Sequence, residues 1–172
     1  MRVASWLWFV GSFSLAAFGL GCQHEPLEVV HVELQQISGK WYEIAKLPRP
    51  TQAGCAGTTA DYRLKSASEL LVVNECREGS LTGPLKRVSA RAVANDVSEP
   101  GKLSLDFGFA YGDYWVIDVS EGDGYLVVGH PSRDYLWILS RARTLPNTTL
   151  SGVLERARQK GFPVGSLSYT EQ

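Results

Sequence analysis

The chain has few of the residues on which several large classes of protein depend. Its 17 Lys and Arg are balanced by 18 Asp and Glu, so there is no basic excess to neutralise a phosphate backbone, and we expect no nucleic-acid partner. Of its three histidines, only His130 lies beyond the first 31 residues. HExxH, Walker, GxGxxG and GxSxG motifs are all missing, so we predict no metal, no cofactor and no catalytic residue.

The remaining composition is that of one soluble domain rich in β-structure. A length of 172 residues suits a single domain, and 44% apolar with 20% charged residues argues against disorder and against a multi-span membrane protein. Seventeen glycines, eight prolines and 10% aromatic residues indicate many turns between aromatic-rich segments. This balance is typical of β-proteins.

The first 21 residues have the layout of a secretory signal peptide. Arg2 is followed by an uncharged apolar stretch, residues 3–21, that ends in small residues. A membrane span, which needs about 20 apolar residues, is the alternative, but several Ser and Gly interrupt this run. We therefore predict export, with residues 1–21 as the signal peptide.

The residues Gly19-Leu20-Gly21-Cys22 resemble the lipobox of bacterial lipoproteins. The resemblance implies that Cys22 is acylated and, because Gln23 rather than Asp follows it, that the protein is anchored in the outer membrane, facing the periplasm. The two glycines also fit ordinary signal cleavage, which would leave Cys22 as an unmodified thiol. Residues 22–37, with mixed charges and no apolar periodicity, are predicted to be a lipidated N-terminus and tether.

The cysteine count supports this reading. Three cysteines leave one unpaired thiol in an exported protein unless Cys22 is modified. Cys55 and Cys76 then form a natural disulfide pair, because export makes the bond chemically permissible. The alternative is that these two cysteines are reduced and buried.

The rest of the chain, residues 38–172, is predicted to be one all-β domain with one C-terminal helix. Short apolar or alternating runs are separated by turn residues, and the connections suit hairpins rather than parallel crossovers. An eight-strand meander removes its edges by closing, so we predict an eight-stranded antiparallel up-and-down β-barrel. The strands are expected at 41–47, 57–65, 70–76, 87–94, 102–107, 114–119, 125–130 and 135–141.

The single predicted helix follows the last strand. Leu150, Val153 and Ala157 recur at helical spacing, with Asn147 as the expected cap and Gly161 as the stop. Its one apolar stripe has to pack on something, and the last two strands are apolar on both faces. We expect the helix to cover the outside of these strands, and residues 165–169 to pair with a strand edge.

Three motifs in order resemble those of the lipocalin family. They are Gly39-Lys40-Trp41 before the first strand, Gly112-Asp113-Tyr114 where the family has Thr-Asp-Tyr, and the run from Arg133 to Arg141 in the last strand. The resemblance implies that Gly39, Trp41 and Arg141 close the barrel, with the arginine stacked on the tryptophan. It also implies that the open end of the barrel holds a small lipophilic ligand.

Strand alternation predicts which side chains line that cavity. If Arg141 points inward, the two-residue period places Tyr135 and Trp137 inward as well. Small residues on one face, Ala90 and Ala92 among them, indicate that space is left, whereas the alternative is that Tyr62, Phe107 and Trp137 fill it. The predicted cavity residues are Ala45, Tyr62, Val72, Asn74, Ala90, Ala92, Phe107, Tyr135 and Trp137.

These observations predict a membrane-anchored protein that holds or carries fatty acids, lysophospholipids or similar lipophiles, as a monomer or homodimer. The family implies a role in cell-envelope maintenance. One alternative is an enzyme acting on a lipophilic substrate, with Glu43, Asp118 or His130 as its acid or base. A second alternative is a structural envelope protein whose barrel is filled by its own aromatic side chains.

Overall fold

A computed structural model describes residues 25–120, 122 and 124–172. The predicted signal peptide and the acylation site Cys22 lie outside these residues. The strands are β1 (Gly39–Lys46), β2 (Cys55–Ser66), β3 (Glu69–Glu78), β4 (Leu85–Ala94), β5 (Lys102–Asp106), β6 (Tyr111–Val119), β7 (Tyr125–Gly129), β8 (Leu136–Ser140) and the two-residue β9 (Ser168–Tyr169). The helices are α1 (Leu34–Ile37) and α2 (Asn147–Gln159).

The prediction of a closed eight-stranded antiparallel barrel is confirmed. Strands β1 to β8 pair in sequence order, and β1 also pairs with β8, so the sheet closes on itself. Trp41 lies near the end of the barrel where β1 begins, which we call the closed end. The loops at residues 47–54, 79–84, 107–110 and 130–135 lie at the opposite, open end.

The end of the chain completes the sheet beside β1. The first half of β1 pairs with β2, and β9 pairs with Ala45 and Lys46 where those two strands diverge. The Thr170 N–H donates to the Ile44 carbonyl at 3.0 Å, and the Gly57 N–H donates to the Glu171 carbonyl at 2.6 Å. The expected pairing of the tail with a strand edge is therefore present.

Helix α2 packs on the outside of the barrel, as predicted. Its buried residues Val153 and Ala157 share one apolar cluster with Val127, Leu136 and Ile138. The helix begins at Asn147 with Pro146 in the capping position, so the predicted cap is one residue too late. Close packing after the helix also explains a glycine in β7, because a Cβ on Gly129 would lie 2.5 Å from the ring of Phe162.

The segment predicted to be a tether is packed onto the barrel from Leu27 onward. Leu27, Val32, Leu34 and Ile37 are each at most 5% exposed. The segment crosses from the open end to the closed end, where the Val30 N–H donates to the Val116 carbonyl at 3.0 Å and α1 follows. These residues belong to the folded unit: Val32, Leu34 and Ile37 pack in the interior cluster with Trp41, and Leu27 packs in the outer cluster under α2.

Arg133 fixes the point at which this segment begins. Its guanidinium donates to the Glu25 carbonyl at 2.6 Å, to the Lys160 carbonyl at 3.0 Å and to the Pro131 carbonyl. The side chain is 7% exposed. One buried cation thus joins the first described residue, the end of α2 and the β7–β8 turn, all at the open end of the barrel.

Two bulges reverse side-chain directions that simple alternation predicts. The pairing of β1 with β8 shifts between Glu43 and Ala45, and Ala45 packs in the outer cluster under α2, so its placement in the cavity is wrong. The pairing of β6 with β7 shifts between Val116 and Asp118. Asp118 consequently faces α2, where it accepts a hydrogen bond from Arg156 at 2.8 Å.

Candidate functional site

The closed end is sealed by a cation stacked on a buried indole. Trp41 is 0% exposed, and the Arg141 guanidinium lies 3.5 Å from its ring centroid. Arg141 also donates to the carbonyls of Lys40 at 3.1 Å, Gln36 at 3.2 Å and Ser38 at 2.8 Å. Gly39 has φ of +96°, and a Cβ there would lie 3.3 Å from the Arg141 guanidinium. The three residues predicted to close the barrel therefore meet at one point.

Two tyrosines, Tyr62 and Tyr114, are buried in the half of the interior next to this seal. The hydroxyl groups of Tyr62 and Tyr114 are hydrogen-bonded to each other, and the ring of Tyr114 lies 5.5 Å from that of Trp137. Ala90 and Ala92 belong to the same cluster and are 3% and 0% exposed. Ala90 and Ala92 therefore lie in the same buried cluster as the two tyrosines.

Burial also changes the acidity of the two tyrosines. Removal from water disfavours the phenolate, so it raises the pKa of Tyr62 and of Tyr114 well above the ordinary value of tyrosine. Each of these phenols stays neutral wherever the protein is folded at ordinary pH. The hydroxyl pair is thus a neutral polar feature in the middle of an apolar core.

The half of the interior next to the open end is partly accessible to solvent, and we call it the cup. Asn74 on β3 faces Val88 on β4, and Val88 is 39% exposed although it lies on the inward face of its strand. Other predicted cavity residues, Phe107, Tyr135 and Trp137, are half-buried here. The rings of Tyr135 and Trp137 are stacked, with centroids 6.3 Å apart. The predicted residues Val72 and Tyr62 lie deeper, at 1% exposure each.

A second arginine lies over the aromatic wall of the cup. The Arg49 guanidinium is 3.9 Å from the ring centroid of Tyr135 and 5.8 Å from that of Trp137. Within residues 25–120, 122 and 124–172 this guanidinium makes no hydrogen bond and no ion pair. The loop that carries it is held by the Cys55–Cys76 disulfide, whose Cα atoms are 5.4 Å apart, so the predicted pairing is confirmed.

The three polar residues considered as an acid or base are each engaged elsewhere. Glu43 is buried, forms an ion pair with Lys46 and accepts a hydrogen bond from Thr170 at 2.6 Å. Asp118 binds Arg156 on the outside of the barrel. His130 accepts the Ser132 N–H at 3.1 Å, and its other nitrogen lies 4.0 Å from Asp113. These partners orient a tail, a helix and a turn, respectively.

The described part of the chain contains neither a metal-binding cluster nor a membrane-spanning helix. No group of three His, Cys, Asp or Glu side chains is placed to hold a metal ion there. None of the helices described for residues 25–172 is long and apolar enough to cross a bilayer.

Sequence reasoning missed two residues that shape the interior. Tyr114 was noted only as part of a motif, although it alternates with Val116, which marks it as inward-facing. Arg49 lies in a loop between two prolines, where no periodic pattern assigns a direction to a side chain. Its position over the cup comes from the structure alone.

Comparison with known proteins agrees with this geometry. The family model described as a lipocalin-like domain matches residues 32–172. The outer membrane lipoprotein Blc of Vibrio cholerae is 32% identical over 157 residues, which cover 88% of this chain and 91% of that protein. Blc of Escherichia coli is 30% identical over 145 residues, covering 84% and 81%.

A solved structure shows the same fold at lower identity. Insecticyanin from the tobacco hornworm Manduca sexta superposes with a TM-score of 0.68 at 20% identity, covering 87% of this chain and 86% of that one. The family match begins within the segment that crosses to the closed end and continues to the last residue. We conclude that the chain belongs to the lipocalin family and is a barrel protein that binds small hydrophobic ligands.

Proposed function

We propose that the protein holds an anionic amphiphile, a fatty acid or lysophospholipid, with its apolar chain in the cup and its head group at Arg49. An acylated Cys22 tethers it to the outer membrane on the periplasmic side, where it carries or stores lipids for envelope maintenance. The relatives named outer membrane lipoproteins support this location. Phe107, Tyr135 and Trp137 form the aromatic wall, with Asn74 as the polar group opposite.

The unused donors of Arg49 are the observation that carries this proposal. A guanidinium offers five N–H donors in a fork that matches a carboxylate or phosphate. In the described chain those of Arg49 have no acceptor, while the ring of Tyr135 supports the guanidinium plane at 3.9 Å. A cation over an aromatic cup suits a ligand that is apolar at one end and negative at the other.

Tryptophan fluorescence tests the proposal directly. Titration with a fatty acid is expected to quench Trp137, and Trp137→Phe should abolish the signal, whereas Trp115→Phe, in the outer cluster, should preserve it. Arg49→Met is expected to weaken fatty-acid binding about tenfold, the size of one charge-assisted hydrogen bond. The matched fatty alcohol should bind both forms equally. Equal loss for acid and alcohol would show that Arg49 does not select the head group.

Ligand length sharpens the test. Each buried methylene adds about 0.8 kcal/mol, so affinity rises with chain length as long as the cup has room. Because Tyr62 and Tyr114 occupy the half next to the seal, we expect the affinity to stop rising at a chain length between about eight and sixteen carbons.

The intact mass of the native protein tests whether Cys22 is acylated.

The filled barrel remains the competing proposal, because the Tyr62–Tyr114 pair and Trp137 already pack against one another. It predicts that no fatty acid of any length quenches Trp137. It also predicts that an organic extract of the native protein contains no lipid.

A further inference from the structure

Large apolar side chains are exposed at the open end of the barrel. Phe109 in the β5–β6 connection is 84% exposed, and Tyr111, the first residue of β6, is 78% exposed. Leu81 in the β3–β4 connection is 41% exposed, and Leu85, the first residue of β4, is 49% exposed. Exposed apolar groups gathered on one side of a molecule mark a surface that meets another apolar phase.

The chain enters the folded unit at this same end. Arg133 holds the Glu25 carbonyl at 2.6 Å beside the β7–β8 turn. Only Gln23 and His24 separate Glu25 from Cys22. A fully extended chain covers about 3.3–3.6 Å per residue, so the three residue steps between Glu25 and Cys22 can span at most about 11 Å.

We propose that the open end docks onto a lipid bilayer, with Phe109 and Tyr111 entering the interface between head groups and acyl chains. The inference rests on the proposed function in one respect, the lipid anchor at Cys22. An anchor held this close to the open end brings Phe109 to the membrane, whereas the closed end, a whole barrel length away, faces the periplasm. Tyr is favoured at such interfaces because it combines apolar area with a polar hydroxyl group, and Phe adds apolar area that enters the acyl boundary.

The same hairpin connects the docking surface with the cup. The rings of Phe109 and Phe107 are 6.0 Å apart, and Phe107 packs against the buried core of the barrel. A lipid chain that leaves the bilayer beside Phe109 therefore meets an apolar surface continuous with the cup. In this orientation, the acyl chain of a lipid can pass from the bilayer to the cup without crossing water.

The experiment places a fluorescent reporter at each end of the molecule. Phe109→Trp reports on the open end, and Val97→Trp is its matched control, since Val97 is 81% exposed in the β4–β5 connection at the closed end. Each variant of the full chain, purified from membranes, is added to vesicles of phosphatidylethanolamine and phosphatidylglycerol with brominated acyl chains. The emission of the parent protein is subtracted.

We expect the added emission of Phe109→Trp to be quenched by at least about half and that of Val97→Trp to be unchanged, because bromine quenches only at contact with the acyl region. In the full chain with Cys22→Ser, which removes the acylation site, replacing both Phe109 and Tyr111 with Ser is expected to lower vesicle partitioning about tenfold or more, through loss of buried apolar area. Val97→Ser should leave partitioning unchanged. Equal quenching of the two reporters, or quenching of neither, overturns the proposal.

Two further readouts separate this inference from its competitors. A second copy of the chain could cover the same side chains, and sedimentation would then show a dimer that the double Ser variant dissociates, which also overturns the proposal. If fatty acid does not quench Trp137 but the vesicles still quench Phe109→Trp and not Val97→Trp, the result rejects lipid binding in the cup and supports docking. An unmodified Cys22 by intact mass rejects the anchor, while the reporter contrast still decides the docking surface.

Discussion

The two ends of the barrel each carry an arginine stacked on an aromatic ring, and they use it differently. At the closed end, Arg141 lies 3.5 Å from Trp41 and donates to three backbone carbonyls. At the open end, the Arg49 guanidinium lies 3.9 Å from the ring centroid of Tyr135 and donates no hydrogen bond within the described chain. Both guanidinium groups stack on a ring at a similar distance, but they differ in whether their N–H donors bind acceptors within the chain. Guanidinium donors that bind backbone carbonyls hold the structure together, whereas guanidinium donors without an acceptor in the chain are available to a ligand.

The largest expected contrast is between the tryptophans of the two ends. Trp41→Ala leaves a large cavity where the fully buried indole was, and is expected to lower the free energy of unfolding by about 3–5 kcal/mol. Trp137→Ala at the half-buried cup should cost about 1–3 kcal/mol. Urea denaturation followed by circular dichroism measures both, and equal costs would contradict the division into a structural end and a ligand end.

Next in size is the disulfide that holds the open end. The Cys55–Cys76 bond closes a loop with a sequence separation of 21 residues, so Cys55→Ser with Cys76→Ser is expected to cost about 3 kcal/mol. The same loss should follow when the parent protein is treated with a reductant. Because the bond adjoins the loop of Arg49, fatty-acid affinity should fall along with the thermal midpoint. An unchanged midpoint in both cases would argue that the loop is ordered without the bond.

The arginine pair itself gives a smaller and more selective contrast. Arg141→Met leaves three carbonyls without their donor and removes the stack, for an expected loss of about 2–3 kcal/mol. Arg49→Met removes only an exposed stack and should change stability by about 0.5 kcal/mol or less. Thermal unfolding of the two variants side by side checks this. A large loss for Arg49→Met would mean that this residue is structural too.

The smallest expected effect concerns the Tyr62–Tyr114 pair. It is a loss of unfolding free energy that is absent at neutral pH and grows as the pH rises. Burial raises the pKa of Tyr62 and Tyr114 in the folded protein, so above about pH 10 the unfolded chain releases protons that the folded chain retains. Stability from this source is complete below pH 10 and falls as pH rises, by up to about 1.4 kcal/mol per tyrosine per pH unit. Unfolding free energies between pH 8 and 11 should show the slope, and Tyr62→Phe with Tyr114→Phe should flatten it. Absorbance of both phenolates in the folded protein would contradict the burial argument.

Much of the fold could be predicted from the sequence because its physical signals are local. Turn residues between alternating apolar runs predict the strands, and the apolar stripe through Val153 and Ala157 predicts the helix and its place on the wall. Closure follows from the cost of free edges. The disulfide was predictable from the predicted export and from the presence of two cysteines, Cys55 and Cys76, within the domain.

The remaining features depend on contacts that no local pattern records. A bulge adds one residue to a strand without changing its composition, so the reversed direction of Ala45 and Asp118 is invisible before the pairing is known. The segment around Val32 and Leu34 has no regular spacing of apolar residues, and its packing into the interior cluster with Trp41 is known only from the structure. Arg49 depends on where a proline-flanked loop folds back. The predicted cavity residues at the open end, Asn74, Phe107, Tyr135 and Trp137, stay a prediction until a ligand is bound.

The pairing of β1 with β8 has a consequence for the order of events during folding. Glu43 and Leu139 lie opposite each other in the sheet although almost the whole barrel separates them in sequence. Contacts of such long range form late, since the entropy of closing the intervening loop has to be overcome first. On the proposed route of export, the barrel closes only after the last strand has crossed the inner membrane. Until then the edge of β1 that later pairs with β8 stays unpaired, and this interval is where chaperones and proteases would have their greatest access.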